Sequence, residues 1–112
     1  MRIFYKEKSF GVEYKEITPF GKYIGLMFRT KENQNLLFNF KDYKTFGIHS
    51  FFVFFNFLAV WLDKKDNIVD FSIVKPFTFL VKSENPSVKL LELPLNNRNK
   101  GIFEFLVGKR KI

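Results

Sequence analysis

Apolar residues along most of this chain recur at every second position, the period of a half-buried β-strand. Residues 1–5 read as a short strand, and residues 11–17 as a second extended piece in which Val12, Tyr14 and Glu16 alternate against Glu13, Lys15 and Ile17. The period then changes. Phe20, Tyr23, Ile24, Met27 and Phe28 recur at helical spacing behind Thr18, which can cap a helix, and Pro19, which suits a first turn, so the spacing predicts a helix over 19–28. Gly21 and Gly25 each weaken that helix by about 1 kcal/mol relative to Ala, yet four apart they clear one face for close packing.

Beyond a polar turn at 31–35, Leu36, Phe38 and Phe40 alternate with Leu37, Asn39 and Lys41, giving a strand followed by a loop over 41–47. Residues 48–62 crowd both alternation phases with Phe, Val and Trp. A strand apolar in both phases is normally covered on both faces, and Asn56 marks a break between two such strands. Asp63-Lys64-Lys65-Asp66-Asn67 is a reversal, after which Val69, Phe71 and Ile73 alternate against Asp70 and Ser72. Phe77, Phe79 and Val81 suggest a further extended segment, 83–87 a loop, and 89–93 a strand closed by Pro94. Residues 95–100 read as irregular, and Phe103, Phe105 and Val107 as a last alternating strand before Lys109, Arg110 and Lys111. The expected class is α+β, mostly β: one domain over 1–112, a compact curved mixed or antiparallel sheet, partly barrel-like, of about seven strands with one short helix packed on it.

Composition sharpens this picture. Phe accounts for 17 of the 112 residues, and there is no cysteine, so stability has to come from packing and no thiolate site is available. That pattern suits a reducing cytoplasm. No apolar stretch follows Arg2, Lys6 and Lys8 as a secretory signal would require, and the longest apolar run, 51–62, is interrupted by Asn56 and too short to span a membrane. The net charge of +8 is uneven: residues 1–31 and 96–112 carry +4 each, and the middle is neutral. If the two ends lie together they make one basic face; if not, two weaker patches.

Several ordered motifs resemble one family. Gly25-Leu26-Met27-Phe28-Arg29, Leu36-Leu37-Phe38-Asn39-Phe40, Ile48-His49-Ser50-Phe51-Phe52-Val53, Val60-Trp61-Leu62-Asp63, Ile73-Val74-Lys75-Pro76 and Leu91-Glu92-Leu93-Pro94 follow one another as in the domain of unknown function 192 family. The resemblance implies a compact α+β fold with a helix against a curved mixed sheet, and supplies no activity. Two departures stand out. The family's Pro-hydrophobic-Asp is represented here by Asn56-Phe57-Leu58, and its Gly-Asp near the end by Gly108-Lys109, so an acidic residue is missing at each place. Many members also carry secretory signals, which this sequence is not expected to have.

The chemistry-bearing residues are few. One histidine rules out an imidazole metal cluster, and the glycines do not fall in a phosphate-loop spacing, so neither a metal nor a cofactor is expected. His49 and Ser50 are strand neighbours facing opposite ways and cannot act as base and nucleophile. The candidate ligand-binding residues are Arg29, His49 and Trp61, with no catalytic residue assigned. Arg29 either caps the helix or binds an anion. Trp61 either packs in the core or stacks on a ligand, and Glu92 is expected to be exposed. The leading functional expectation is a non-catalytic binding or accessory domain with a small-ligand or protein-partner surface. Two alternatives stay open: a nucleic-acid module acting nonspecifically through Lys109, Arg110 and Lys111, and an enzyme using His49 as lone acid or base. No membrane partner is expected, and weak self-association remains open.

Overall fold

A computed structural model describes residues 1–17, 34–44, 47–48, 53–78 and 81–109. Its elements are β1 (Arg2–Tyr5), β2 (Lys8–Gly11), β3 (Lys15–Ile17), β4 (Leu36–Lys44), β5 (Gly47–Ile48), β6 (Phe57–Leu62), β7 (Ile68–Val74), β8 (Val81–Lys82) and β9 (Ser87–Pro94), then a 3-10 turn (Asn97–Asn99) and α1 (Lys100–Lys109). Five strands form one sheet in the order β3-β4-β9-β6-β7. The β3–β4 pair is parallel and the other pairs are antiparallel, so the sheet is mixed; β3 and β7 end it, and it stays open instead of closing into a barrel. β1–β2 is a separate hairpin and β5–β8 a small second pair. The class is the α+β, mostly β one that the pattern predicts.

The double-phase hydrophobicity of β6 has the consequence expected of it. All six of its residues are buried, because each face of the sheet is covered. Leu58, Val60 and Leu62 join Leu37, Leu91 and Leu93 on one face, under Ile3 and Val12 from the N-terminal segment and Ile102 and Leu106 from α1. Phe57, Ala59 and Trp61 join Leu36, Phe38 and Leu90 on the other, with Val53 and Val74. Each such large side chain contributes about 1.5–3 kcal/mol on burial, before the entropy of ordering the chain.

The β6–β7 reversal is built by Asp63. Its Oδ1 accepts from the backbone N–H groups of Lys65 and Asn67, both at 2.9 Å, and its Oδ2 accepts from Asn67 Nδ2 at 3.1 Å. Partial burial of this carboxyl would raise its pKa. The hydrogen bonds from Asn67 and Lys65 and the Lys65 charge more than offset that, and the pKa lies below its ordinary value of 3.8. Asp66, in the left-handed region at φ 66, pairs with Lys89 of β9 at 2.6 Å.

Three expectations are corrected. Residues 103–107 are helical, not a strand: Ile102 and Leu106, four apart, form the buried stripe of α1, while Phe103 and Phe105 flank it. The alternation of Phe103, Phe105 and Val107 is real but incidental to that stripe. Residues 41–44 extend β4 instead of beginning a loop. Glu92, expected to be exposed, is 3% exposed, because β9 lies inside the sheet with both faces covered and offers no solvent side. The helix expected over 19–28 lies outside the described residues.

Candidate functional site

The first and last described elements of the chain meet. In β1, Ile3 and Tyr5 share the face turned toward the core, and across the hairpin they pair with Phe10 and Lys8 respectively. The strands are joined by Lys6 and Glu7 alone, a two-residue turn in which Lys6 takes φ 55. A positive φ at the first of two turn residues is the place where Gly is preferred. Phe105 of α1 then packs beneath the hairpin, its ring centroid 6.1 Å from Tyr5 at an interplanar angle of 79° and 5.2 Å from Phe10 at 58°. Phe71 of β7 closes the group, 6.0 Å from Tyr5 at 84°. These contacts, two edge-to-face and one tilted, hold the four half-buried rings in fixed orientations.

Two ammonium groups sit over the rings. Lys6 Nζ lies 5.4 Å from the Tyr5 centroid and Lys8 Nζ 5.8 Å from that of Phe10. Between them opens a cleft of about 440 Å³ lined by Tyr5, Lys6, Glu7, Lys8 and Phe105, within the roughly 300–1,000 Å³ range of small-ligand sites. Lys6 is the more informative cation. A non-glycine residue in the left-handed region costs about 1–2 kcal/mol, whereas an exposed cation–π contact returns about 0.5–1 kcal/mol. Its position is therefore not explained by the stability of the hairpin alone, and backbone strain of this kind gathers at functional sites.

A second, polar cleft lies where Glu13, Asn35 and Arg98 converge, with Tyr14 and Gln34 on one side and Gly11 and Asn99 on the other. Its floor is a buried amide network. Asn99 Nδ2 donates to Asn35 Oδ1 at 2.8 Å and to the Pro94 carbonyl at 2.7 Å, and Asn35 Nδ2 donates to the Glu13 carbonyl at 2.8 Å. Asn96 caps the 3-10 turn by accepting from Asn99 N–H. The network fastens the entry to α1 onto the start of β4, which sets where Phe105 arrives under the hairpin. It is the architecture behind the first cleft.

Of the residues singled out from sequence, Arg29, His49, Arg110 and Lys111 lie outside the described residues. Lys109 is the last residue of α1. Trp61 is 1% exposed among Leu36, Phe38, Phe57 and Leu90. Its Nε1 finds no acceptor among the described residues. Glu92 faces Ala59 across the β6–β9 pair and so lies diagonal to Trp61 on the same face. Among the described residues no three His, Cys, Asp or Glu side chains converge as metal ligands would. No described helix is long and apolar enough to cross a membrane.

Sequence reasoning missed Tyr5, Lys6, Lys8, Phe10 and Phe105. The signal was present in Tyr5-Lys6-Glu7-Lys8-Ser9-Phe10, where rings and cations interleave. It was overshadowed by the denser aromatic run at 51–61, which contains no Lys or Arg.

Comparison with known proteins agrees with this fold. A crystal structure of a "putative transcription regulator" from Sinorhizobium meliloti is similar, with a TM-score of 0.74 and 16% identity over 91% of this chain and 82% of that one. A crystal structure of a protein of unknown function from Novosphingobium aromaticivorans aligns with a TM-score of 0.59 and 13% identity, over 70% of this chain and 59% of that one. At these identities the likeness is one of fold. No curated protein matches the sequence. The model of the family DUF192, an uncharacterized ACR, matches residues 4–102, which hold the whole five-stranded sheet and the entry to α1, and this chain belongs to that family.

Proposed function

We propose that this chain acts as one non-catalytic binding domain and that its ligand surface is the cleft between the β1–β2 hairpin and α1. The observation that carries the reading is the pair of lysines, Lys6 and Lys8, standing over rings locked against Phe105. A ligand that combines a flat apolar part with negative charge fits both halves of that surface. The ring faces accept the flat part, and the ammonium groups meet the charge at the rim. No step of bond making is required of these residues, whose side chains offer a platform and two cations. Localisation in the cytoplasm, where anionic metabolites are abundant, is part of the same proposal.

A thermal-shift panel of nucleoside monophosphates, inorganic phosphate, dicarboxylates, divalent cations and short RNA tests it. A ligand that binds the native state at a hundred times its Kd adds about 2.7 kcal/mol of stability. At least one aromatic anion is expected to raise Tm, and the rise is expected to vanish in the Lys6→Asn, Lys8→Gln double variant. A panel in which no anion shifts Tm, or a shift indifferent to these substitutions, contradicts the proposal.

A further inference from the structure

The reading that follows rests on the cleft just described and names its ligand. We infer that the β1–β2 hairpin and Phe105 form a platform for single-stranded nucleic acid, with a base laid on Tyr5 and the adjoining phosphates on Lys6 and Lys8. Binding of unpaired strands needs ring faces beside cations on one surface. The rings of β6, Phe57 and Trp61, do not qualify, because they are buried within the sheet. The hairpin does. Tyr5 and Lys8 are cross-strand partners and share a face, and Lys6 reaches over the same ring from the turn.

Three features favour a polyanion over a small one. First, the net charge of +8 gives the molecule a long-range attraction that grows with the number of phosphates on the ligand. Second, both lysines are exposed, and neither forms an ion pair among the described residues, so each is available to a phosphate. Third, the rings are held by edge-to-face and tilted contacts with one another, so a platform exists before the strand arrives and little ordering is needed. On binding, the Lys6 ammonium leaves the face of Tyr5 for a phosphate and a base takes its place. Base–ring stacking is worth more than the exposed cation–π contact it replaces. Recognition of this kind is tolerant of sequence, since every base has a flat face. An anionic membrane is a poorer fit: the four rings are half-buried around a concavity and none projects as an inserting side chain would. Glu7 at the turn opposes any anion and tunes the affinity downward.

The test is fluorescence anisotropy with an end-labelled oligouridine, repeated with uridine monophosphate as competitor and with vesicles of phosphatidylserine and phosphatidylcholine. Each phosphate contact to a single strand adds about 0.7 to the slope of log affinity against log salt, so Lys6→Asn with Lys8→Gln should lower the slope by about 1.4. Between about 50 and about 200 mM salt that amounts to a difference of about sevenfold in salt sensitivity. Asn is chosen at position 6 because it tolerates the left-handed backbone. Tyr5→Leu should weaken binding by a similar factor at both salt concentrations, and Glu7→Gln, a substitution at an exposed turn, should tighten it. An unchanged slope in the lysine variant, unaltered affinity in Glu7→Gln, or vesicles outcompeting the oligomer overturns the inference. If the monophosphate binds as tightly as the oligomer, the binding-domain reading stands and the nucleic-acid inference falls. If no anion binds at low salt, both fall.

Discussion

Replacing Asn99 by Ala removes one side-chain amide and little else, because the backbone N–H of residue 99 keeps its bond to the cap residue Asn96. What is lost are two donors, one to Asn35 Oδ1 and one to the Pro94 carbonyl. An acceptor left buried without a donor costs about 1–3 kcal/mol, so two such groups set a range of about 2–6 kcal/mol. The lower half applies if water from the adjoining polar cleft, lined by Asn35 and Asn99, reaches them. Against a total stability of about 5–15 kcal/mol this is a large fraction, and it corresponds to a fall in Tm of about 8–24 °C. Urea unfolding followed by tryptophan fluorescence reads the effect as a lower midpoint at constant m, with Trp61 as the chain's single indole. Asn35→Ala and the double variant complete a cycle whose expected coupling is about 0.5–3 kcal/mol. A loss under about 1 kcal/mol, or strictly additive losses, would refute the idea that this network fastens α1 to the sheet.

Three further outcomes follow from the same structure. Lys6→Gly relieves about 1–2 kcal/mol of left-handed strain and forfeits a contact of about 0.5–1 kcal/mol, so stability in urea should hold or rise while anion binding weakens; a clear loss of stability would contradict the strain argument. Asp70 accepts from Phe71 N–H, Ser83 Oγ and Glu84 N–H, tying the 83–86 loop along the outer edge of β7. Asp70→Ala should cost about 1.5–3 kcal/mol, and by loosening that cover it should promote association at the strand edge, visible as a mass increase in sedimentation velocity. Because the Asp63 pKa is depressed by folding, its contribution is present above the ordinary carboxyl value near 3.8 and is lost as pH falls through the lower native value. Between about pH 5 and about pH 3 the urea midpoint of the native chain should therefore fall more than that of Asp63→Asn, and parallel curves would exclude the linkage.

The candidate site was legible only in its parts. Tyr5, Lys6, Lys8 and Phe10 lie within six consecutive residues, and their interleaving is visible to a reader looking for it. Phe105 lies about a hundred residues further on, and only the packing of α1 against the hairpin brings it beneath Tyr5 and Phe10. Whether the two basic ends form one face or two patches is a question of distance in space. The ring contacts between the hairpin and α1 bring those two elements together, while Arg29, Arg110 and Lys111 lie outside the described residues.

Period and composition alone determined that this chain builds a β-rich domain around a strand at 57–62 that is apolar in both phases, opening after Asn56 and reversed at 63–67, because side-chain alternation and turn chemistry act over a few residues. The tertiary structure decided the rest. Glu92 is buried because β9 has neighbours on either side and a core on each face, and residues 100–109 coil into a helix because Ile102 and Leu106 find a sheet to cover. Local alternation cannot register either fact, since both depend on surfaces supplied by strands far away in sequence, and burial of apolar area against those surfaces outweighs the weak local preference for one secondary structure over another.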